Sequence, residues 1–376
     1  MEYLFANTGQ EADVLDFANF VFSQAHRPHD FRTLLPKVYA RDDFAPLHAI
    51  ATEEGRIRGM AALLPQEIRV LPGMSLSSGF VGTVGAHPYY RGQGIMQRVM
   101  DMLYQKGREM GLDVLLLGGR RHRYNYFGYE RGGAEVMFTI NQDCLHHALK
   151  QVEGEQVSLT PLAQAAPSDI DAAYRFYEGM PMVAYRSREE FLAVLDSVYA
   201  APWLVKQGDA VAGYINVSGK GVITEAAIPE KLWLPVLRQW LQTHGGDVRV
   251  VLPQHEVKAI SILHPVAENF TIGDSVMLNI LNWPKVLETV LAFKNTWCPL
   301  RDNQVVLDVQ GEGRWLLEVS QGQVSVAQTT LAPDVSLTAN QAVSLLFSPL
   351  SLFKQEGRSF ANWLPLPFNL PEADCF

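Results

Sequence analysis

At 376 residues the chain is too long for one ordinary core, which predicts two or three domains. Its content of 48% hydrophobic and 19% charged residues excludes wholesale disorder. The formal net charge of −9 argues against a general nucleic-acid binder, and the one dense basic run, GRRHR (119–123), is short. Cys144, Cys298 and Cys375 are far apart with no CxxC spacing, so neither a disulfide framework nor a zinc site is expected, and a reducing compartment fits better. The opening MEYLFANTGQEADVL lacks the basic start and apolar core of a signal peptide. No apolar run approaches the ~18 residues of a membrane span, so the expectation is a cytoplasmic protein with no membrane contact.

In chain order, residues 10–24 carry Val14, Leu15, Phe17, Phe20, Val21 and Phe22, a broad helical stripe. LHAIATEEGRIRGMAALLPQEIRV reads as a hairpin turning at EEGR (53–56), and SSGFVGTVGAHP as a third strand stopped by Pro88. After Gly94, the positions Ile95, Val99, Met102 and Leu103 follow i, i+4, i+7, i+8, and with Met110 predict a helix with one buried face. LDVLLLGG (112–119) is a compact apolar run, most simply a buried strand. The polar, proline-containing 151–170 reads as an interdomain connection. The order then partly repeats, with a helix over 187–199, a hairpin over 203–217, the strand GVITEAAI, the helix EKLWLPVLRQWLQTH and the strand DVRVVLP. From 283 on come an amphipathic helix, short strands with glycine turns, a strand-helix pair and an apolar, Pro-rich tail that is expected to dock.

The chemistry concentrates in GAHPYYRGQGIMQRVM (85–100). A helix start exposes unpaired N–H groups and a partial positive charge. Glycine lets the backbone approach a ligand, and arginine at the rim adds charge-assisted bonds to phosphate. RGQG between a strand and a helix is therefore a pyrophosphate cradle or, more simply, a turn. It is not a P-loop, since no Gly-Lys-Ser/Thr follows, and the dinucleotide fingerprint fails because Gln97 stands where the third glycine belongs.

VGAHPYYRGQGIMQRVM resembles the acyl-CoA-binding motif of the GNAT N-acetyltransferases, Arg/Gln-x-x-Gly-x-Gly/Ala after a splayed strand. Arg91 and Gly94 match it, and Met96 departs from the final Gly/Ala. That departure is similar to the Eis-like branch (enhanced intracellular survival proteins), whose loop reads R-x-x-G-hydrophobic-hydrophobic. RYNYFGYERGG (123–133) resembles the Tyr-x-x-Phe-Gly-Tyr segment of the same branch. The resemblance runs the whole length. It implies an α/β (α+β) fold: tandem GNAT-like mixed-sheet domains at 1–150 and 151–282, then a sterol-carrier-like α+β domain at 283–376 whose tail enters the first domain's active site.

What the resemblance implies chemically is acetyl transfer from acetyl-CoA, as co-substrate and without a metal, to a primary amine attacking directly. Val84, Gly85 and Ala86 would face the thioester, and Arg91, Gly92, Gln93, Gly94, Ile95, Met96 and Gln97 the pyrophosphate. Gly119 and Arg120 would add to the cofactor site. Tyr124 would protonate the leaving thiolate, and the α-carboxylate of Phe376 would take the amine's proton. The phenol and thiol references of ~10 and ~8.5 make the first transfer mildly uphill. Tyr126 and Tyr129 read as aromatic packing, and His122 and Arg123 as either phosphate contacts or a solvated cluster. His87 faces either solvent or the amine. His146 and His147 are adjacent and share no face, which argues against a metal site. The acidic balance favours a cationic acceptor, an aminoglycoside, a polyamine or a protein lysine. The branch also implies a homo-oligomer, a hexamer in some relatives. Two other readings stay open: a non-catalytic acyl-CoA sensor, and a lipid carrier using the C-terminal region.

Overall fold

In a computed structural model of the chain, residues 1–24, 28–148 and 156–376 are described, so the first part of the 151–170 connection lies outside them. The chain divides into two compact units. One joins Met1–Gly133, Ser275–Phe368 and Cys375–Phe376, and the other joins Ala134–Asp274 and Asn369–Asp374.

In the first unit the strands Glu2–Phe5, His48–Glu53, Arg56–Leu71, Met74–Ala86, Val114–Leu117, Val276–Ile280 and Glu130–Gly132 lie side by side in that order. The strand Val276–Ile280, which the sequence places in the 151–282 segment, is fully buried here and runs antiparallel to Val114–Leu117 with Met277 opposite Leu117. The helix Ile95–Glu109 buries Ile95, Val99, Met100 and Leu103 against Leu63, Val81, Leu115 and Leu117. Met110 lies past its end and is exposed. Gly107 is required by this packing, since a Cβ there would stand 2.9 Å from the Leu115 side chain. The helix Glu11–Ser23 buries Val14, Phe17, Ala18 and Val21.

Further along the same unit, the helix Trp283–Trp297 precedes a four-stranded sheet ordered Gln323–Gln328, Gly313–Ser320, Asn303–Val309, Val335–Leu337. The helix Ala339–Phe347 begins in a capping box formed by Thr338 and Gln341. The Pro-rich tail is docked: Trp363, Leu364, Leu366 and Phe368 are buried. Lys294 Nζ donates to the carbonyls of Trp363 and Pro365, each at 2.8 Å, which satisfies tail carbonyls that no regular structure would pair.

The second unit is built on seven strands in the order Asn269–Gly273, Glu135–Ile140, Val248–Pro253, Val222–Ala227, Ala210–Val217, Ala201–Gln207, Ser158–Pro161. Its helix Trp233–His244 buries Trp233, Val236, Leu237, Trp240 and Leu241. Two local expectations change. The described part of the 151–170 connection holds the strand Ser158–Pro161 and the start of the helix Pro167–Glu178, whose buried Ile170, Ala173 and Tyr177 follow helical spacing. The helix expected over 187–199 shortens to Phe191–Leu195, because Val198 and Tyr199 turn to φ of 60° and 57°. Asp374 is held inside this unit by the buried Arg186, whose Nε donates to it at 2.7 Å while both terminal nitrogens grip Glu225 at 2.8 and 2.7 Å.

Glu135, in the same unit, carries a measurable pH signature. Burial first, and then the neighbouring charges of Glu372 and Asp274, push its carboxyl up to about 7. Between the unfolded value of 4.5 and about 7 the folded protein binds more protons than the unfolded chain, so stability falls as pH rises through that window. Glu135→Gln is expected to remove this slope and raise the thermal midpoint at pH 8 by about 5 °C. Melting curves of both proteins from pH 4 to pH 8 check it, and parallel curves would refute it.

Candidate active site

The site grows out of a break in the first unit's sheet. The strand Met74–Ala86 pairs in parallel with Val114–Leu117 from Ser78 opposite Val114 to Val81 opposite Leu117, and there the pairing stops. On its other side it stays paired to Arg56–Leu71, with Ala62 opposite Gly82 and Met60 opposite Gly85. Two residues, Thr83 and Val84, therefore stand against the single Ala61, a bulge that bends the strand. Past the bulge the strand leaves Val114–Leu117, and Val84, Gly85 and Ala86 line a cavity of about 740 Å³.

Arg91, Gly92, Gly94, Ile95, Met96 and Gln97 line the same cavity. Gly94 is the N-cap of the helix Ile95–Glu109, at φ 75° and ψ 7°, and no side chain caps the helix. A left-handed glycine at that place leaves the first-turn N–H groups open to a ligand. The first turn holds no acidic residue, and Arg91 is exposed beside it. This arrangement fits a pyrophosphate: unpaired donors, a helix dipole and one cation on one rim. Of the other residues expected at the cofactor, Gln93 and Arg120 are exposed and stand outside the cavity's lining. Gly119 also stands outside it and has a different task, since a Cβ there would lie 3.0 Å from the Tyr124 ring.

Tyr124 ends the short helix Arg121–Tyr124 and lines the cavity with His122, Arg123, Tyr126 and Phe127. Burial raises its phenol above the ordinary tyrosine value, with Arg123 working against the shift. Its loop is pinned from three sides. Arg121 forms a bidentate pair with Glu130, which also accepts from Asn125 Nδ2 at 2.9 Å. Asn279 Nδ2 donates to the Phe127 carbonyl at 3.0 Å, and Asn340 Nδ2 to that of Asn125 at 2.9 Å. Arg121 thus serves structure. Tyr129 is buried packing. His87 accepts from the Tyr89 N–H at 3.3 Å, which caps a turn, and its ring meets those of Phe20 and Tyr89 at a tilt and that of Tyr90 edge-on.

Phe376 sits at the bulge rather than in the cavity's lining. A Cβ on Gly82 would lie 2.7 Å from its ring and 3.0 Å from its carboxyl carbon. Its ring lies 6.2 Å from that of Tyr39, and Lys37 Nζ donates to the Cys375 carbonyl just before it. Motif reading misses Val21 and Phe22, which line the cavity from the first helix. Their stripe announced burial but not which cavity they face. Cys144, Cys298 and Cys375 form no disulfide, and no metal-binding group of His, Cys, Asp or Glu occurs among the described residues. No described helix is long and apolar enough to cross a membrane.

Residues 2–132 match the model of the Acetyltransferase (GNAT) domain. The whole chain also shares its fold with solved structures. A GCN5-related N-acetyltransferase from Anabaena variabilis superposes at a TM-score of 0.69 with 18% identity, covering 100% of both chains. A GCN5-related N-acetyltransferase from Kribbella flavida does so at 0.70 with 15% identity, again over 100% of both. Eis1 from Mycobacterium abscessus follows at 0.68 with 15% identity and the same full coverage. No curated protein matches the chain by sequence. The domain match supports an acetyl-CoA-dependent acetyltransferase, and the solved structures show that the fold is shared.

Proposed function

We propose that the protein moves the acetyl group of acetyl-CoA to a primary amine by direct attack. The observation that carries this reading is the convergence of a splayed strand edge, a glycine-capped helix start and Tyr124 on one cavity. Arg91 and the open N–H groups after Gly94 hold the pyrophosphate. The strand edge at Val84–Ala86 lies along the thioester, where backbone donors stabilise the charge that develops on its oxygen. The amine nitrogen bonds to the carbonyl carbon and the carbon–sulfur bond breaks. Tyr124 gives its proton to the departing sulfur, and the Phe376 carboxylate takes the proton the nitrogen sheds. Solvent then returns a proton to Tyr124 and removes one from Phe376, so the site is restored.

For the acceptor we propose a cationic amine, an aminoglycoside, a polyamine or a protein lysine, on the strength of the net charge of −9 and of the carboxylate role proposed for Phe376. For residues 283–376 we propose a sterol-carrier-like domain, supported by the helix, four-stranded sheet and buried tail found there.

The test is release of free CoA from acetyl-CoA with a panel of these amines. Arg91→Ala is expected to raise the KM for acetyl-CoA about tenfold with kcat held within about twofold, the loss of one charge-assisted phosphate contact made equally in ground and transition states. Tight acetyl-CoA binding with no turnover on any amine would overturn the enzyme reading. An unchanged KM in Arg91→Ala would overturn the pyrophosphate assignment.

A further inference from the structure

Thr83 holds a conformation that its chemistry disfavours. Its φ is 47°, in the left-handed region, and it is β-branched and buried. Such a conformation persists only where the surroundings over-determine it. The surroundings here are a dry hydrogen-bonded chain within the first unit. Tyr39 Oη lies 2.7 Å from Thr83 Oγ1 and 3.0 Å from His48 Nε2. His48 Nδ1 lies 3.0 Å from the Phe44 carbonyl. Tyr39 and His48 are both fully buried, and the Tyr39 ring sits between those of Phe31 and Phe44.

The donor directions follow from the far end. A carbonyl only accepts, so His48 Nδ1 carries the proton and donates to Phe44. Burial keeps the imidazole neutral by lowering its pKa to about 4, so Nε2 has only a lone pair to offer. The Tyr39 hydroxyl therefore donates to His48, and its oxygen accepts from the Thr83 hydroxyl. The polar side-chain atoms of the chain are all hydrogen-bonded, His48 Nδ1 reaching the Ala45 carbonyl at 3.3 Å as well, which is what a clamp in a buried site requires.

The clamp's position gives it a use. Thr83 is one of the two bulge residues. The residue before it, Gly82, receives Phe376, and the residue after it, Val84, begins the cavity-lining edge. Rotating Thr83 back to ordinary strand geometry would straighten the strand and move both. We propose that Tyr39 and His48 are positioning residues for acetyl transfer, locking the bulge through the Thr83 hydroxyl so that Val84–Ala86 faces the thioester. The proposal rests on the acetyltransferase reading above.

Tyr39→Phe deletes only the hydroxyl at the centre of the chain. It is expected to lower kcat/KM about tenfold or more. Adding Thr83→Gly should return kcat/KM to within about threefold of wild type, because glycine takes a positive φ without help. A purely structural role for the Tyr39 hydroxyl would give no such rescue. A folded Tyr39→Phe with wild-type kinetics, or a double variant as impaired as Tyr39→Phe alone, would overturn the clamp. Should Tyr39→Phe fail to fold, the pair Thr83→Ser and Thr83→Val decides, since serine keeps the hydroxyl and valine does not. Equal activity in those two overturns the proposal, and a loss confined to valine supports it. Calorimetric binding of acetyl-CoA to wild type separates the two readings. No binding overturns the acetyltransferase reading and the clamp with it, whereas binding with unimpaired variants overturns the clamp alone.

Discussion

Replacing Tyr124 by phenylalanine is expected to lower kcat by about a hundredfold or more while the KM for acetyl-CoA stays within about twofold. The change removes one oxygen and keeps the ring. The contact with Gly119 and the packing against the first unit's core are therefore retained, and the fold should be unaffected. What is lost is the donor proposed for the leaving sulfur, an interaction made only as the carbon–sulfur bond breaks. Burial raises the Tyr124 phenol, so it stays protonated above the ordinary range and remains a donor at neutral pH. Steady-state kinetics with saturating amine checks this, with a melting curve to confirm the fold. A kcat within about threefold of wild type would remove Tyr124 from the proton path.

Gly82→Ala addresses the other end of the reaction. The added methyl would stand 2.7 Å from the Phe376 ring and 3.0 Å from its carboxyl carbon, closer than a Cβ contact tolerates. Gly82 lies inside a paired strand, opposite Ala62, and cannot retreat, so Phe376 must move. The expected result is a fall of about a hundredfold in kcat/KM for the amine, since an ångström of misplacement costs that much. Acetyl-CoA binding should hold within about twofold, because the proposed pyrophosphate cradle lies on the far side of the bulge. Calorimetry and kinetics on the one variant give both numbers. Unimpaired turnover would show that the seat of Phe376 has no part in the chemistry.

The two variants probe parts of the site that differ in how readable they were. The loop and helix start proposed as the cradle could be read because they are local. Arg91, Gly92 and Gly94 follow one another, and the helix they open announces itself by the spacing of Ile95, Val99 and Leu103. The role proposed for Tyr124 came from a local feature too, since the resemblance of its loop lies within eleven consecutive residues. The bulge was not legible. SSGFVGTVGAHP reads as one strand, and nothing in it says that Thr83 and Val84 will share the single Ala61. Tyr39 and His48 carried no motif, and the role proposed for them arises only because the fold brings Tyr39 onto Thr83 and His48 onto Tyr39.

The sequence by itself determined the elements that depend on neighbours along the chain: the glycine-capped helix over Ile95–Glu109, the hairpin around EEGR, the apolar tail that must dock. Local backbone preference and side-chain periodicity suffice for the helix and the hairpin, whose partners are near in the chain, and the tail's apolar run demands burial without naming what it docks on. Tertiary structure alone decided that Val276–Ile280 joins the first unit's sheet, that Phe376 meets Gly82, and that Thr83, bonded to Tyr39, leaves strand geometry. Each of these is a pairing between segments tens to hundreds of residues apart. Strand register and side-chain contact at such separation are settled by what the packed core accepts, which periodicity along one segment does not encode.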